Sequence, residues 1–313
     1  MVTLNLALGK DVFGECWNYD PKNRGYSQKM VGYKIQRFPD GQKNIVIENQ
    51  GMLSKSMKMI GDKEYMLLDP PPVRIKSRLN NWLDLELIVC AVASLRELGI
   101  KEIHLYCPYI VGARSDRQFE KGGNNYIKTV LAPVINSLKL DSVSCVDPHS
   151  DVLEACINNF KKISNLEIVR WSLLDIDSNI QDKIALVSPD AGALKKIYDV
   201  AKTFNITNVT NASKVRDIPT GKIIKTEIPD MDLDGIEHFV VIDDICDGGR
   251  TFIELAKEIK KQTDKPLYLI VTHGIFSAGF DELLKYFSKI YCTNSYADIY
   301  HERVEQLDLF GSK

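Results

Sequence analysis

The sequence predicts an α/β protein made of two tandem halves, each a mainly parallel sheet flanked by helices. Three observations support this prediction. Short apolar runs alternate with helical patterns, the alternation starts again in the second half, and polar residues follow several of the strands. We therefore expect two domains, residues 1–165 and 166–313, joined within the region of residues 160–182.

In the first half, the runs KNIVIEN and EYMLLDP are typical of strands. The segment WLDLELIVCAVASLRELG has the apolar spacing of a helix and ends at a glycine. A strand, a helix and another strand then follow. The predicted elements of this half are strands at 43–49 and 64–70, a helix at 82–99, a strand at 102–109, a helix at 125–140 and a strand at 142–150.

The second half repeats the alternation. Its predicted elements are a strand at 183–190, a helix at 191–204, a strand at 238–245, a helix at 251–263 and strands at 266–274 and 289–295. Ligands of open parallel sheets bind beyond the carboxyl ends of the strands. The polar residues that follow these strands are therefore the candidate site.

Composition excludes several classes of protein. The chain has 313 residues, 26% of them charged, with a net charge of −2, which argues against a general nucleic-acid or membrane-surface binder. No stretch of about 18 uninterrupted apolar residues occurs, and the N-terminus has no pattern for export. The seven cysteines are scattered without a C-x-x-C pair, so we expect reduced thiols in a cytoplasmic protein rather than zinc or disulfide chemistry.

The stretch VVIDDICDGGRTF (240–252) carries the strongest local signal. A buried strand ends in two aspartates, a glycine turn follows, and a helix begins. Glycines let backbone N–H groups approach an anion, and a helix N-terminus adds positive potential. The carboxylates would accept hydrogen bonds from ribose hydroxyls or hold a hydrated Mg²⁺. An acidic turn that merely caps the helix is the alternative. The candidate ribose-phosphate residues are Asp243, Asp244, Asp247, Gly248, Gly249, Arg250 and Thr251.

This stretch resembles the 5-phosphoribosyl-1-pyrophosphate (PRPP) site of type I phosphoribosyltransferase folds. Five further segments resemble PRPP synthetases, the ribose-phosphate diphosphokinases, in their order and rough spacing. They are RFPDGQ (37–42), GARSDR (112–117), VDPHSD (146–151), VSPDAGALKK (187–196) and SKVRDIPTGKI (213–223). The resemblance implies two phosphoribosyltransferase-like domains, the first on the ATP side with the oligomer contacts and the second with the ribose-phosphate loop and a catalytic lid.

The resemblance also implies individual roles. Lys214 and Arg216 would be catalytic, because a lysine point charge and a planar guanidinium suit a transferring phosphoryl group. His149 and Asp190 would lie at Mg²⁺, with His149 in contact directly or through water since Mg²⁺ prefers oxygen ligands. Each role has an alternative. His149 would be a structural histidine, Lys214 and Arg216 would lie in an exposed charged loop, and Phe38 would pack in the core. The implied ATP residues are Phe38, Asp40, Gln42, Arg114, Ser115, Asp116 and His149.

Three features depart from the family pattern. Gln42 and Ser115 stand where the family usually has Glu and Gln, and NYDPKNRGYSQK (18–29) is a polar insertion without a counterpart. The family loop D-T-A-G-T is replaced by Asp-Gly-Gly-Arg-Thr, which has fewer hydroxyl donors and more open space. This change suits a phosphate that continues into a larger group, as in ADP-ribose. Arg250 would then pair with the second phosphate, or it is a helix-surface residue in water.

The leading hypothesis is a Mg²⁺-dependent diphosphokinase that transfers the β,γ-pyrophosphoryl group of ATP to ribose 5-phosphate and releases AMP. The first alternative keeps this chemistry with ADP-ribose as acceptor, for NAD⁺ salvage. A PRPP-consuming phosphoribosyltransferase would leave the first half unexplained, and a regulatory paralogue without activity is disfavoured by the presence of Lys214 and Arg216. By analogy with the family we expect a homo-oligomer, a dimer or a hexamer, with no nucleic-acid or membrane partner.

Overall fold

The computed structural model describes residues 1–8, 29–48, 50, 53, 57–60, 63–66, 70–216, 223–231 and 233–311. The chain forms two compact units, Met1–Ile163 together with Phe310–Lys313, and Ser164–Leu309. None of the helices in the described ranges is long and apolar enough to cross a membrane.

Some sequence predictions fall outside the described residues. They are most of the insertion at 18–29, residue 49, residues 67–69, and residues 217–222 of the proposed lid. The side chains of Lys214 and Arg216 also lie outside them, although the backbone of both residues is described.

The first unit contains a six-stranded parallel sheet in the order β10-β9-β8-β7-β1-β2. Asn5 at the end of its first strand donates a 3.0 Å hydrogen bond from Nδ2 to the carbonyl of Phe310, which therefore completes this unit. The elements of the unit are β1 (Val2–Asn5), β2 (Lys29–Met30), β3 (Tyr33–Arg37), β4 (Lys43–Ile47), β5 (Met57–Ile60), β6 (Lys63–Met66), β7 (Val73–Lys76), α1 (Trp82–Glu97), β8 (Ile103–Tyr106), α2 (Ala132–Ser137), β9 (Ser142–Val146), α3 (Val152–Cys156) and β10 (Phe160–Ile163).

Two strands predicted in the first half lie outside this parallel sheet. The segment predicted at 43–49 contains β4, which pairs antiparallel with β3. The one predicted at 64–70 overlaps β6, which pairs antiparallel with β5. The strand that enters the parallel sheet is β7. In β4, Ile45 and Ile47 are buried while Val46 is exposed. One-sided burial is typical of antiparallel strands, whereas central parallel strands are covered on both faces.

The helix predicted at 125–140 is divided. A π-helical turn at Ile127–Leu131 leads into α2, which has Pro133 in its first turn. Proline lacks the N–H that the regular helical hydrogen-bond pattern requires, so a change of pattern at this point is expected. By contrast, α1 is regular and begins with a capping box in which Asn81 and Asp84 each accept a hydrogen bond from the backbone N–H of the other.

The second unit contains a six-stranded parallel sheet in the order β12-β11-β15-β16-β17-β18 and a separate antiparallel hairpin, β13–β14. Its elements are α4 (Leu166–Ile176), α5 (Ile180–Lys183), β11 (Ile184–Ser188), α6 (Leu194–Phe204), β12 (Val209–Asn211), β13 (Ser213–Arg216), β14 (Ile223–Glu227), β15 (His238–Cys246), α7 (Arg250–Gln262), β16 (Leu267–Gly274), β17 (Lys289–Thr293) and β18 (Val304–Leu307).

Alternate residues of β15 point to two separate cores. Phe239 and Val241 pack with Leu255 of α7, and Val240 and Ile242 pack on the opposite face with residues of α4 and α6. Each fully buried aliphatic or aromatic side chain contributes about 1.5–3 kcal/mol. Burial on both faces holds β15 at the centre of the sheet and fixes where its polar end emerges.

Candidate active site

Strand β15 delivers two adjacent aspartates to the carboxyl edge of the second unit's sheet. Asp244 is 7% exposed, and its backbone N–H donates a 2.9 Å hydrogen bond to Oδ1 of Asp243. Burial, reinforced by the neighbouring Asp244 carboxylate, raises the pKa of Asp243 well above the usual value for an aspartate. The ionised form of Asp243 is therefore disfavoured in the protein alone, and a cation or a set of hydroxyl donors would stabilise it.

A glycine turn connects β15 to helix α7. Gly249 is the N-cap residue and adopts a φ of +75°, and no side chain caps the first turn of the helix. The first amides of a helix have no intrahelical acceptor, and together with the helix dipole they favour an anion such as a phosphate. All five predicted loop residues lie in this turn or at the helix start: Asp247, Gly248, Gly249, Arg250 and Thr251.

The two glycines of this turn have different steric surroundings, which gives a testable prediction. A Cβ on Gly249 would lie 3.1 Å from Cδ1 of Leu283, in addition to the strain of its positive φ. A Cβ on Gly248 would meet only Oγ of Ser277, at 3.9 Å. We expect Gly249→Ala to lower the free energy of unfolding by about 1 kcal/mol or more, and the matched Gly248→Ala to change it by less than about 0.5 kcal/mol. Urea denaturation measures both, and equal midpoints for the two variants would contradict the geometry.

Asp190 lies at the same edge of the sheet, because it follows β11 and β11 pairs with β15. Its Oδ1 accepts hydrogen bonds from the backbone N–H groups of Gly192 at 2.9 Å and Ala193 at 3.1 Å. Lys196 of α6 is close enough to act on Asp243, where its charge opposes the rise in pKa. Sequence reasoning did not select Lys196, although it is the last residue of the segment at 187–196.

The predicted catalytic residues Lys214 and Arg216 lie on β13, opposite Thr226 and Ile223 of β14. The N–H of Ala212, which precedes this hairpin, donates a 2.9 Å hydrogen bond to the carbonyl of Ser188 at the end of β11. The β13–β14 hairpin therefore begins at the sheet edge that also carries Asp190 and the aspartates of β15.

In the first unit, three of the predicted nucleotide-binding residues meet at the tip of the β3–β4 hairpin. The N–H of Phe38 donates to the carbonyl of Gln42 at 2.9 Å, and Oδ1 of Asp40 accepts from the N–H of Gln42 at 3.1 Å. Gly41 adopts a φ of +92° in this turn. Phe38 is 45% exposed, so its ring is not part of the core.

Three further nucleotide candidates, Arg114, Ser115 and Asp116, lie in the loop that follows β8. The N–H of Ser115 donates a 2.7 Å hydrogen bond to the carbonyl of Gly112. Gly112 has a φ of +76°, and the Tyr126 ring lies 2.5 Å from where its Cβ would stand. No larger residue fits at this position without moving that ring, so the glycine fixes the start of the loop.

His149 follows β9, the neighbour of β8 in the sheet. The side chain of His149 is exposed, whereas Asp147 is 4% exposed and adopts a φ of +44°. The His149 segment and the Arg114 loop therefore lie beyond the carboxyl ends of adjacent strands of the first unit. The two residues predicted at Mg²⁺, His149 and Asp190, belong to different units.

No family model matches the chain. A ribose-phosphate pyrophosphokinase of Saccharolobus solfataricus is 26% identical over 257 residues, which cover 82% of this chain and 81% of the relative. One of Mycoplasmopsis pulmonis is 30% identical over 207 residues, covering 64% of this chain and 60% of the relative. The crystal structure of phosphoribosylpyrophosphate synthetase from Mycobacterium smegmatis matches with a TM-score of 0.73 at 14% identity, covering 98% of this chain and 94% of that one.

Over 82–85% of its length the chain is similar to ribose-phosphate pyrophosphokinases, at 23–26% identity. The match to the solved structure confirms the fold class predicted from the sequence, an α/β protein with phosphoribosyltransferase-like domains built on parallel sheets.

The acidic end of strand β15 fits a magnesium ion. Mg²⁺ prefers oxygen ligands, and the Asp243–Asp244 pair offers carboxylate oxygens whose mutual repulsion a cation would relieve. Among the described residues, a different group, Asp177, Glu237 and His238, brings its ligand atoms within 4.8 Å of one another. That group lies at the start of β15, away from the carboxyl edge, and Lys183 already pairs with Glu237 at 3.0 Å. The strand-end aspartates are therefore the better candidate for a metal site.

Two further features lie at this edge of the sheet. His273 of β16 lies opposite Ile245 of β15, is 2% exposed, and its Nδ1 is 2.8 Å from Oγ of Ser295. Ser277 contacts Asp247 across the glycine turn. His273 lies near the end of the strand predicted at 266–274, but no sequence pattern indicated Ser295 as its partner or Ser277 as that of Asp247.

Proposed function

We propose that this protein transfers the β,γ-pyrophosphoryl group of ATP to the anomeric 1-hydroxyl of ribose 5-phosphate and releases AMP. The observation that carries the proposal is the Asp243–Asp244 strand end followed at once by the uncapped helix start at Gly249. Carboxylates that accept from hydroxyls, beside an anion cradle, match a sugar that bears a phosphate. The activity named for the relatives supports the same chemistry.

The reaction forms a bond between the oxygen of the 1-hydroxyl and the β-phosphorus of ATP. The bond from the β-phosphorus to the oxygen that bridges the α- and β-phosphates breaks, AMP leaves with its electron pair, and the hydroxyl proton passes to solvent. Phosphoryl transfer of this kind depends mainly on positioning and charge neutralisation. Asp243, Asp244 and Asp247 would orient the ribose, and the amides after Gly249 would hold the 5-phosphate.

Lys214 and Arg216 would neutralise the charge on the transferring group from the β13–β14 hairpin, which starts at the same sheet edge. Mg²⁺ would be held by the Asp243–Asp244 pair and Asp190. When bound, it would neutralise charge on the phosphate oxygens.

The first unit would supply the ATP site. The exposed ring of Phe38 offers a face on which adenine can stack, and Asp40 and Gln42 flank it in the same turn. Arg114 and Asp116 would contact the nucleotide from the loop after β8. By analogy with the family, we propose a homo-oligomer, a dimer or a hexamer, in which two subunits share this site.

A second acceptor, ADP-ribose, is favoured by one specific observation. Gly248 is exposed and a Cβ there would have open space on all sides except toward Ser277, so the turn leaves room beyond the 5-phosphate. Arg250 is exposed at the first position of α7, where a guanidinium would meet a second phosphate.

The choice of acceptor is tested by product analysis. The protein is incubated with ATP, Mg²⁺ and either ribose 5-phosphate or ADP-ribose, and products are identified by mass spectrometry. We expect AMP and a pyrophosphorylated sugar with ribose 5-phosphate. Turnover of ADP-ribose alone, abolished in Arg250→Gln, would assign the second acceptor, and AMP formation with neither acceptor would contradict the proposed chemistry.

A further inference from the structure

A second loop lies against the ribose-phosphate turn. We call the segment Gly274–Gly279, which leaves strand β16, the facing loop. The backbone N–H groups of its residues Ile275 and Phe276 both donate to the carbonyl of Cys246, at 2.9 and 3.1 Å. The facing loop is thus hydrogen-bonded to the end of β15, directly before the turn that begins at Asp247.

One side chain of the facing loop reaches into this turn. Oγ of Ser277 donates a 2.5 Å hydrogen bond to Oδ1 of Asp247, a residue 30 positions earlier in the chain. The same Oγ lies 3.9 Å from where a Cβ on Gly248 would stand. Ser277 therefore borders the turn at two successive residues.

The backbone of the facing loop is held by an apolar anchor. Phe276 is 7% exposed, and its ring lies 2.2 Å from where a Cβ on Gly274 would stand, so only glycine fits beneath it. The ring also packs edge-to-face against Phe280, with centroids 5.9 Å apart. Phe276 adopts a φ of +47°, a strained value for a phenylalanine that this packing maintains. Ser277 follows this anchor directly, so its hydroxyl is presented from a fixed position.

We propose that Ser277 is a positioning residue of the ribose-phosphate site, which holds the Asp247 carboxylate in the orientation that accepts hydrogen bonds from the ribose of the acceptor. The inference rests on the proposed function, since it assigns to Ser277 a part in binding the acceptor. A hydroxyl that donates to a carboxylate forms a short, charge-assisted hydrogen bond. This bond restricts rotation of the Asp247 side chain before the acceptor binds. Loss of the bond should therefore lower kcat/KM for the acceptor rather than change KM for ATP.

A double-mutant cycle tests this role in the full-length protein, with Ser277→Ala, Asp247→Asn and the double variant. The readouts are kcat/KM for ribose 5-phosphate and KM for ATP. We expect Ser277→Ala to lower kcat/KM for ribose 5-phosphate about tenfold, which corresponds to the loss of one hydrogen bond to a charged group, and to change KM for ATP less than twofold. The double variant should be no worse than Asp247→Asn alone, because without the Asp247 carboxylate Ser277 has no charged group to orient.

Two further variants separate positioning from a general structural effect. Ser277→Thr keeps the hydroxyl and should recover most of the wild-type kcat/KM. Ser178→Ala removes an exposed hydroxyl elsewhere in the same unit and should match the wild type. Two results would overturn the inference. In the first, the reductions in kcat/KM caused by Ser277→Ala and Asp247→Asn multiply in the double variant. In the second, Ser277→Ala has the same kcat/KM as Ser178→Ala. If the wild-type protein forms no AMP with ribose 5-phosphate, the proposed function itself fails, whereas an active wild type with an unaffected Ser277→Ala refutes only the role of Ser277.

Discussion

Replacing Asp243 with asparagine is expected to stabilise the protein at pH 8 and to lower its activity about 100-fold. The activity falls because a neutral amide forms weaker hydrogen bonds to the ribose hydroxyls than a carboxylate, and one hydrogen bond to a charged group contributes about 1.5–3 kcal/mol. The stability rises because burial and the neighbouring Asp244 carboxylate both disfavour the ionised form of Asp243 in the folded protein. The gain should be about 1 kcal/mol, in keeping with the general trade between stability and function at active sites.

The pH dependence of this gain follows from the raised pKa of Asp243. The folded protein holds the Asp243 proton more tightly than the unfolded chain does, where an aspartate has a pKa of about 3.9. Ionisation therefore costs no stability below the unfolded pKa, and the cost grows as the pH rises toward the folded pKa and is constant above it. The stability gain of Asp243→Asn should shrink as the pH is lowered from 8 toward 4.

Urea denaturation at several pH values measures this dependence, and a steady-state assay of AMP formation measures the activity. The control is Asp264→Asn, at an exposed residue after helix α7. It should leave activity and the pH dependence of stability as in the wild type. A gain that is constant across the pH range, or full activity of Asp243→Asn, would show that the strand-end aspartates do not act as proposed.

Replacing Lys214 with alanine is expected to lower kcat by about 10²–10³-fold and to change KM for ribose 5-phosphate by less than about threefold. The lysine would act on charge that develops on the transferring group, so its loss should weaken binding of the transition state more than that of the substrates. The position of Lys214 on a hairpin that starts at the carboxyl edge of the sheet supports this role.

The hairpin offers a matched control for this prediction. Lys225 on β14 pairs with Val215, the residue directly after Lys214. Lys225→Ala removes the same charge from the same hairpin and should alter kcat by less than about threefold. Rapid-quench measurement of AMP formation separates the chemical step from product release. Equal rates for the two variants would assign the effect to the charge of the hairpin as a whole.

The turn after β15 was the part of the candidate site whose backbone the sequence predicted best, for local reasons. Its signals are contiguous: a run of β-branched residues ends at Asp243, and two glycines precede a helical pattern. The structure places Gly249 at a positive φ at the start of α7. This turn requires glycine and follows a strand that is buried on both faces. Tertiary contacts therefore have little freedom to change its local structure.

Features that depend on neighbours distant in sequence could not be predicted in this way. The strand segments at 43–49 and 64–70 have apolar runs like those of the central strands, and only the choice of partner distinguishes an antiparallel hairpin from the parallel sheet. The region near residues 160–182, interpreted as a connection, contains β10 and α4. Ser277 gave no signal because its hydroxyl has a role only where β16 lies beside β15.

The hydrogen bond between Asn5 and Phe310 has a consequence for folding of the protein during translation. Phe310 leaves the ribosome 305 residues after Asn5, a delay of about 15–60 s at ordinary rates of translation. The Phe310 ring, 2% exposed, meets Tyr106 at 6.3 Å and lies under Arg78 at 5.3 Å. The apolar site for Phe310 in the first unit therefore stays uncovered until the whole of the second unit has been synthesised.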